Sequence, residues 1–261
     1  MTTNGLKVFS RAAQMMLAAA GLAVAAGSAG AADMAVKSPM ATAPFNYSGC
    51  FVGGYFGWGV ANDWKTTDVN GFNPGGVNPW DFSLNTSATG GGYVGCSWQP
   101  SLGGGLVFGI DGQGGYLQLS APGQQLNQVP GGVGTSFITD NTKLGSGYGV
   151  VAGRIGWVFL EKIHVYGKLG VGFYNETSTI NNTALVGAPI LASGSKSQMP
   201  LVWGIGAEFP LTEHWIGRAE YLFFENGSSY TSVGTGAGAG FNWNESPSTV
   251  QTFTLGAAYK F

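Results

Sequence analysis

Charge is the scarcest commodity in this sequence. Only 9% of its 261 residues are Asp, Glu, Lys or Arg, against roughly 25% in ordinary soluble domains. A soluble chain so poor in charge would struggle to cover its own surface. The formal net charge of −2 offers no basic footprint, so no nucleic-acid partner is expected. Histidine is nearly missing too. His164 and His214 are the two present, both beside short turns, and no Cys-x-x-Cys or His-x-x-x-His spacing offers a metal site. Beyond the N-terminal segment there is no apolar run long enough for a membrane-spanning helix. What the chain has in quantity is glycine, at 46 residues, with 13% aromatic and 44% hydrophobic residues overall. That aromatic content, with so small a net charge, also argues against disorder.

The N-terminal segment reads as an address. Lys7 and Arg11 form a basic region, Ala12 to Ala26 an apolar region, and Ala29-Gly30-Ala31 a small-residue cleavage pattern. The apolar stretch falls short of the ~20 residues a spanning helix needs, and no Cys lies near the cleavage point to accept a lipid. We therefore expect a signal peptide over residues 1–31, a periplasmic lead-in over 32–46 containing Asp33, Lys37, Pro39 and Pro44, and a β-barrel over 47–261.

Period-two segments begin after the lead-in. Eight are expected, near 49–62, 91–99, 105–118, 144–159, 163–175, 199–209, 215–225 and 249–261. The links near 63–90, 119–143, 176–198 and 226–248 are long and rich in Gly, Asn, Ser and Thr, whereas those near 100–104, 160–162 and 210–214 are short. Long connections alternating with short turns mark outer-membrane barrels, with the short turns periplasmic. Alternate residues of a strand point to opposite faces. One face carries Val52, Phe56 and Trp58, then Ile155 and Trp157, then Leu169, Val171 and Phe173, then Trp203 and Ile205, and finally Leu255, Tyr259 and Phe261. The other carries Asp111, Arg154, Lys168, Glu208, Arg218, Glu220 and Lys260 among many glycines. The apolar face is too bulky to fill an eight-strand interior, while the small and charged face suits one. The expected fold is an all-β, eight-stranded antiparallel up-and-down barrel with its apolar face toward lipid, in the outer membrane.

Tyr47-Ser-Gly-Cys-Phe-Val-Gly-Gly resembles the opening strand of alphaproteobacterial porin-family surface proteins, the immunogenic or opacity-like small barrels with an OmpA-type transmembrane fold. Gly91-Gly-Gly-Tyr-Val-Gly-Cys-Ser-Trp-Gln, Val107-Phe-Gly-Ile-Asp-Gly, Gly153-Arg-Ile-Gly-Trp, Val165-Tyr-Gly-Lys-Leu-Gly, Gly204-Ile-Gly-Ala-Glu-Phe, Ala219-Glu-Tyr-Leu and Ala258-Tyr-Lys-Phe continue the series in order. The resemblance covers the strands and not the loops. It implies an abundant integral outer-membrane protein without a known reaction, contacts with outer-membrane lipid and the barrel-assembly machinery, and Tyr259 and Phe261 as a C-terminal assembly signal. Some members would allow a haem-like ligand. One departure is Cys50 and Cys96, where many relatives carry outward aromatics. Two small buried thiols would explain them; an oxidising compartment favours a cross-strand disulfide.

Catalytic and cofactor sites are not expected. Gly90-x-Gly92-x-x-Gly95 matches a dinucleotide fingerprint formally but opens a strand, where the fingerprint needs a following helix. Asp111, Arg154, Lys168, Glu208, Arg218 and Glu220 should instead pair across the lumen, since an unpaired buried charge is costly; Glu208 and Arg218 lie about one pleat from facing each other. Three functions stay open: a surface-exposed anchor with a closed lumen, a small porin for ions or solutes, and a binder of a host or environmental ligand on the loops, for which Tyr230 is one of few candidate groups. A monomer is expected. N-terminal sequencing of the protein from outer-membrane fractions should find Ala32 or Asp33 first, and a chain that keeps Met1 in the cytosol would contradict the address.

Overall fold

The computed structural model describes residues 45–70, 79–100, 104–126, 138–182, 189–225, 227–236 and 239–261. The expected signal segment, and the lead-in before residue 45, lie outside the described residues. Among the described residues, twelve strands form one antiparallel sheet: β1 (Gly49–Asp68), β2 (Trp80–Trp98), β3 (Leu106–Leu117), β4 (Leu119–Gln125), β5 (Ile138–Phe159), β6 (Ile163–Asn182), β7 (Ile190–Gln198), β8 (Leu201–Pro210), β9 (Trp215–Phe224), β10 (Tyr230–Gly234), β11 (Asn242–Ser246) and β12 (Thr249–Lys260).

Eight of these strands close on themselves. β1 pairs with β2, β2 with β3, β3 with β5, β5 with β6, β6 with β8, β8 with β9 and β9 with β12, and β12 returns to β1. This is the expected eight-stranded barrel. The turn from β5 to β6 is tight, with Leu160 and Glu161 both at positive φ and the Lys162 N–H donating to the Phe159 carbonyl.

The strands run further than the sequence pattern suggests. β1, β2, β5 and β6 reach 20, 19, 22 and 20 residues, about twice the 9–11 residues that cross a bilayer. The segments expected to be long loops also contain β4, β7, β10 and β11. Together they build a second tier above the barrel, paired in the order β4, β5, β6, β7, β10, β11, β1, β2. The tiers meet where the ladder is interrupted. Pro200 separates β7 from β8 and Pro247 precedes β12, and proline has no N–H to give a ladder. β1 and β5 pass the same level through register shifts, between Gly59 and Trp64 and between Leu144 and Tyr148, the local bends that bulges produce.

The outward face changes chemistry at that level. Along β6 the exposed residues are Val165, Leu169, Val171 and Phe173, followed by Asn175 and Thr177. Along the β8–β7 line they are Phe209, Ile205, Trp203, Leu201 and Met199, followed by Ser197, Ser195 and Ser193. An apolar belt of one crossing's height, with a hydroxyl-rich band above it, is what a boundary between hydrocarbon and water selects. Leu169, 59% exposed, lies within the belt and Thr177 above it. Leu169→Arg should therefore cost up to about 2–4 kcal/mol, whereas Thr177→Arg should change stability little; urea unfolding from lipid bilayers measures both.

Candidate functional site

The lumen holds Asp111, Arg154, Lys168, Glu208, Arg218 and Glu220, whereas Lys260 lies half-buried with its ammonium on the Asn46 carbonyl and over the Phe45 ring; β6 shows the layers of the lumen in one strand. Going up from the short-turn end, its inward residues are His164, Tyr166 and Lys168, then Gly170 and Gly172, then Tyr174, Glu176, Ser178 and Ile180. The lumen repeats that order: charges, an apolar layer, an acid-and-hydroxyl layer, and an apolar cap.

The charged layer is continuous. Glu208 accepts from Arg218 at 2.7 Å and 3.0 Å and from Arg154 at 2.5 Å, and its second oxygen lies 3.0 Å from His164 Nδ1. Asp111 lies 2.9 Å from Lys168 Nζ and 3.2 Å from Arg218. Glu220 lies 3.1 Å from Lys168 Nζ and accepts from the Tyr166 hydroxyl at 2.6 Å. Lys168 also donates to Gln113, and Arg154 to the Ser97 hydroxyl. All six charged residues are at most 5% exposed. Aromatic faces complete their surroundings: the Arg218 guanidinium is 4.1 Å from the Tyr93 ring centroid and Arg154 is 4.6 Å from that of Phe51, the geometry of cation–π attraction. Glu208 and Arg218 prove to be direct cross-strand partners, not one pleat apart. The β8–β9 turn is tighter than a count from its apparent ends suggests, and that shifts the register.

Below this layer Tyr47 crosses the mouth. Its hydroxyl lies within hydrogen-bonding distance of the Lys162 and Glu208 carbonyls, its N–H donates to Gln99, and its ring packs against Phe45 and His164. Val107 and Ile216 are buried beside it.

Above the charges lies a layer that the strand alternation did not reveal. Leu117, Leu144, Val150, Val202, Leu222, Phe224 and Val250 are buried together with Tyr55, Tyr148 and Tyr174. The interior glycines are the seats of these side chains. A Cβ on Gly172 would lie 2.9 Å from both Phe224 and Val202, and one on Gly206 would lie 2.4 Å from the Tyr166 ring. Glycine therefore makes room here for neighbouring side chains.

Cys50 and Cys96 are direct register partners on the outward face of β1 and β2. They form a disulfide with a Cα separation of 3.9 Å, shorter than the usual 4.4–6.8 Å. Tyr259 packs edge-on to Phe261 and Trp215 and stacks on His214, so the C-terminal aromatics form an outward cluster at the short-turn rim. Tyr230 points inward in β10 and is 9% exposed, away from any surface ligand. His164 was missed as an interior partner, although its parity with Lys168 on one strand was a usable signal.

A model of the outer membrane protein beta-barrel domain matches residues 16–261. The chain belongs to this outer-membrane β-barrel family. The 31 kDa outer-membrane immunogenic protein of Brucella melitensis is 26% identical over 253 residues, which cover 92% of this chain and 96% of that protein; its counterpart in Brucella suis matches to the same extent. Among solved structures, OprG of Pseudomonas aeruginosa superposes with a TM-score of 0.49 at 12% identity, over 84% of this chain and 99% of that one. Ail, the attachment invasion locus protein of Yersinia pestis, gives 0.38 at 17% identity, over 82% and 99%. As a member of the family the protein resides in the outer membrane. Short turns then face the periplasm and the second tier stands on the extracellular side.

Removing one partner from a buried ion network leaves the others uncompensated, at a cost of about 3–5 kcal/mol. Arg218→Ala deprives both Glu208 and Asp111 of a partner. It should lower stability by that order, read as a shift in the urea-unfolding midpoint in bilayers, while Lys162→Ala on the turn should leave the midpoint unmoved.

Proposed function

We propose that this protein is a non-enzymatic outer-membrane anchor with a closed lumen, working as a monomer in lipid after delivery by the barrel-assembly machinery, and that it serves to hold a β-structured extracellular tier and its loops at the cell surface. The observation that carries this reading is the pair of packed layers stacked in the lumen. A charged layer built on Glu208 and Arg218 is followed directly by an apolar layer built on Leu222 and Phe224. A hydrated ion would have to displace the first and dewet in the second. Outward staves that run well past the membrane belt supply a rigid support for surface display, and the name of the Brucella relative, an outer-membrane immunogenic protein, is in keeping with a surface that immune systems meet. A narrow pore would need the space beside the interior glycines, and that space is taken by Val202, Phe224 and the Tyr166 ring. Tyr259 and Phe261 retain their proposed part in assembly, as does the cleavage that leaves residues 32–46 in the periplasm.

Planar-bilayer recording tests this. The unmodified protein should give no steady conductance. Because the two barriers act in series, Arg218→Ala alone and Leu222→Gly/Phe224→Gly alone should also stay closed, while the triple variant should conduct. Large steady channels from the unmodified protein would overturn the anchor reading in favour of the porin.

A further inference from the structure

We infer that Asp140 of β5 and Glu245 of β11 share a bound proton inside the extracellular tier, and that loss of this proton at raised external pH loosens β10 and β11. The pair makes more hydrogen-bonding contacts than its neighbours have hydrogens to fill. The Thr66 hydroxyl lies 2.7 Å from Asp140 Oδ2 and 2.8 Å from Glu245 Oε2. The Ser178 hydroxyl lies 2.8 Å from Asp140 Oδ1 and 3.0 Å from Glu245 Oε1. Thr142 reaches Asp140 at 3.1 Å and Ser232 reaches Glu245 at 3.0 Å. Six short oxygen–oxygen contacts therefore surround the pair, and the four hydroxyls bring four hydrogens. Thr66 and Ser178 each touch both carboxyls but can donate to one. A proton on Glu245 removes the shortfall at a bridge: the acid donates to the hydroxyl oxygen, and the hydroxyl donates onward to Asp140. The Trp64 indole N–H, 3.2 Å from Glu245 Oε2, is an additional donor to the pair.

Among the described residues no cation compensates two carboxylates here. Both residues are fully buried. The titratable groups facing them are Asp68 from β1, Glu176 from β6 and Tyr230 from β10, all buried and none cationic. Lys196 on β7 is half-buried with its Nζ on the Ser229 carbonyl, and Lys65 and Lys143 are exposed on the outer face. Burial, reinforced by the charge of Asp140, pushes Glu245 up to about 8; burial also raises Asp140, against the hydroxyl bonds that lower it. Two carboxylates that share a site cannot both ionise cheaply. The folded tier thus binds this proton more tightly than the unfolded chain, where glutamate titrates near ~4.3. Its stabilisation is complete below that value and is lost as the pH rises toward about 8.

The test is amide hydrogen exchange of β10 and β11, corrected for the chemical exchange rate, on the full barrel in lipid nanodiscs across this pH range. Relative to Glu245→Gln, which mimics the protonated acid, the opening constant of the parent should rise about tenfold per pH unit between about 5 and 8, while β9 and β12 amides show no such difference. Glu176, raised by burial to about 7, contributes equally to both profiles and cancels. Parallel profiles for parent and variant would overturn the proposal. If Glu245→Gln does not assemble, infrared spectra of Glu176→Gln decide: a protonated-carboxyl band at pH about 6 that vanishes by about 9 supports the shared proton, and its absence at the lower pH refutes it.

Discussion

A peptide group in hydrocarbon has no water to bond, so every N–H and C=O within the membrane must find a partner in the chain itself. The ring from β1 through β12 and back to β1 is the answer to that constraint, and the other features follow from it. A closed eight-strand ring encloses a lumen just wide enough for side chains. Whatever lines the inside must then pack or pair, and whatever lines the outside must be apolar. The inversion of an ordinary soluble protein, with Lys168 at 3% exposure beside Leu169 at 59%, is a consequence of where the backbone has to be.

That logic explains which parts were legible in the sequence. β6 writes its outward face as Val165, Leu169, Val171 and Phe173 against inward His164, Tyr166 and Lys168, and a pattern so polarised needs no structure to be read. β9 is harder. In Trp215–Phe224 both faces end in large apolar side chains, so the parity is set by Arg218 and Glu220 alone, and Leu222 and Phe224 are hidden as interior residues. The second tier was missed for a related reason. It has water outside and polar groups inside, so β10 and β11 lose the contrast that makes alternation visible, and Ser, Thr, Asn and Gly in them look like loop. The signal that remained was parity: continuing inward from Lys168 along β6 reaches Glu176 and Ser178 without a break.

The interior charges and the interior apolar layer solve one packing problem in two ways. At the periplasmic half, long side chains from β3, β5, β6, β8 and β9 meet at the axis, and three carboxylates face three cationic side chains there. Such a network is weak evidence for stability, since apolar replacements of equal volume are often as good. It does tie specific strands together, because Glu208 is held from β5, β6 and β9 at once. A closed ring gains register from contacts that only one arrangement satisfies. The apolar layer above has no such selectivity, and it packs without any charge to desolvate.

The tier outside the membrane inherits its register from the barrel below. β1, β5 and β6 run through both levels, and the Asp140–Glu245 pair is assembled from β5 and β11, bridged by hydroxyls on β1 and β6. It therefore spans the interior of the tier, as the Glu208 network spans that of the barrel. The two differ in what neutralises the carboxylates. In the barrel it is arginine and lysine, which pair directly with the carboxylates. In the tier it is hydrogen-bonding to hydroxyls, and hydroxyls can bridge two acids only when a proton is present to complete the chain. The ion-paired device lies within the membrane belt, and the hydroxyl-bridged one where the protein meets the medium outside.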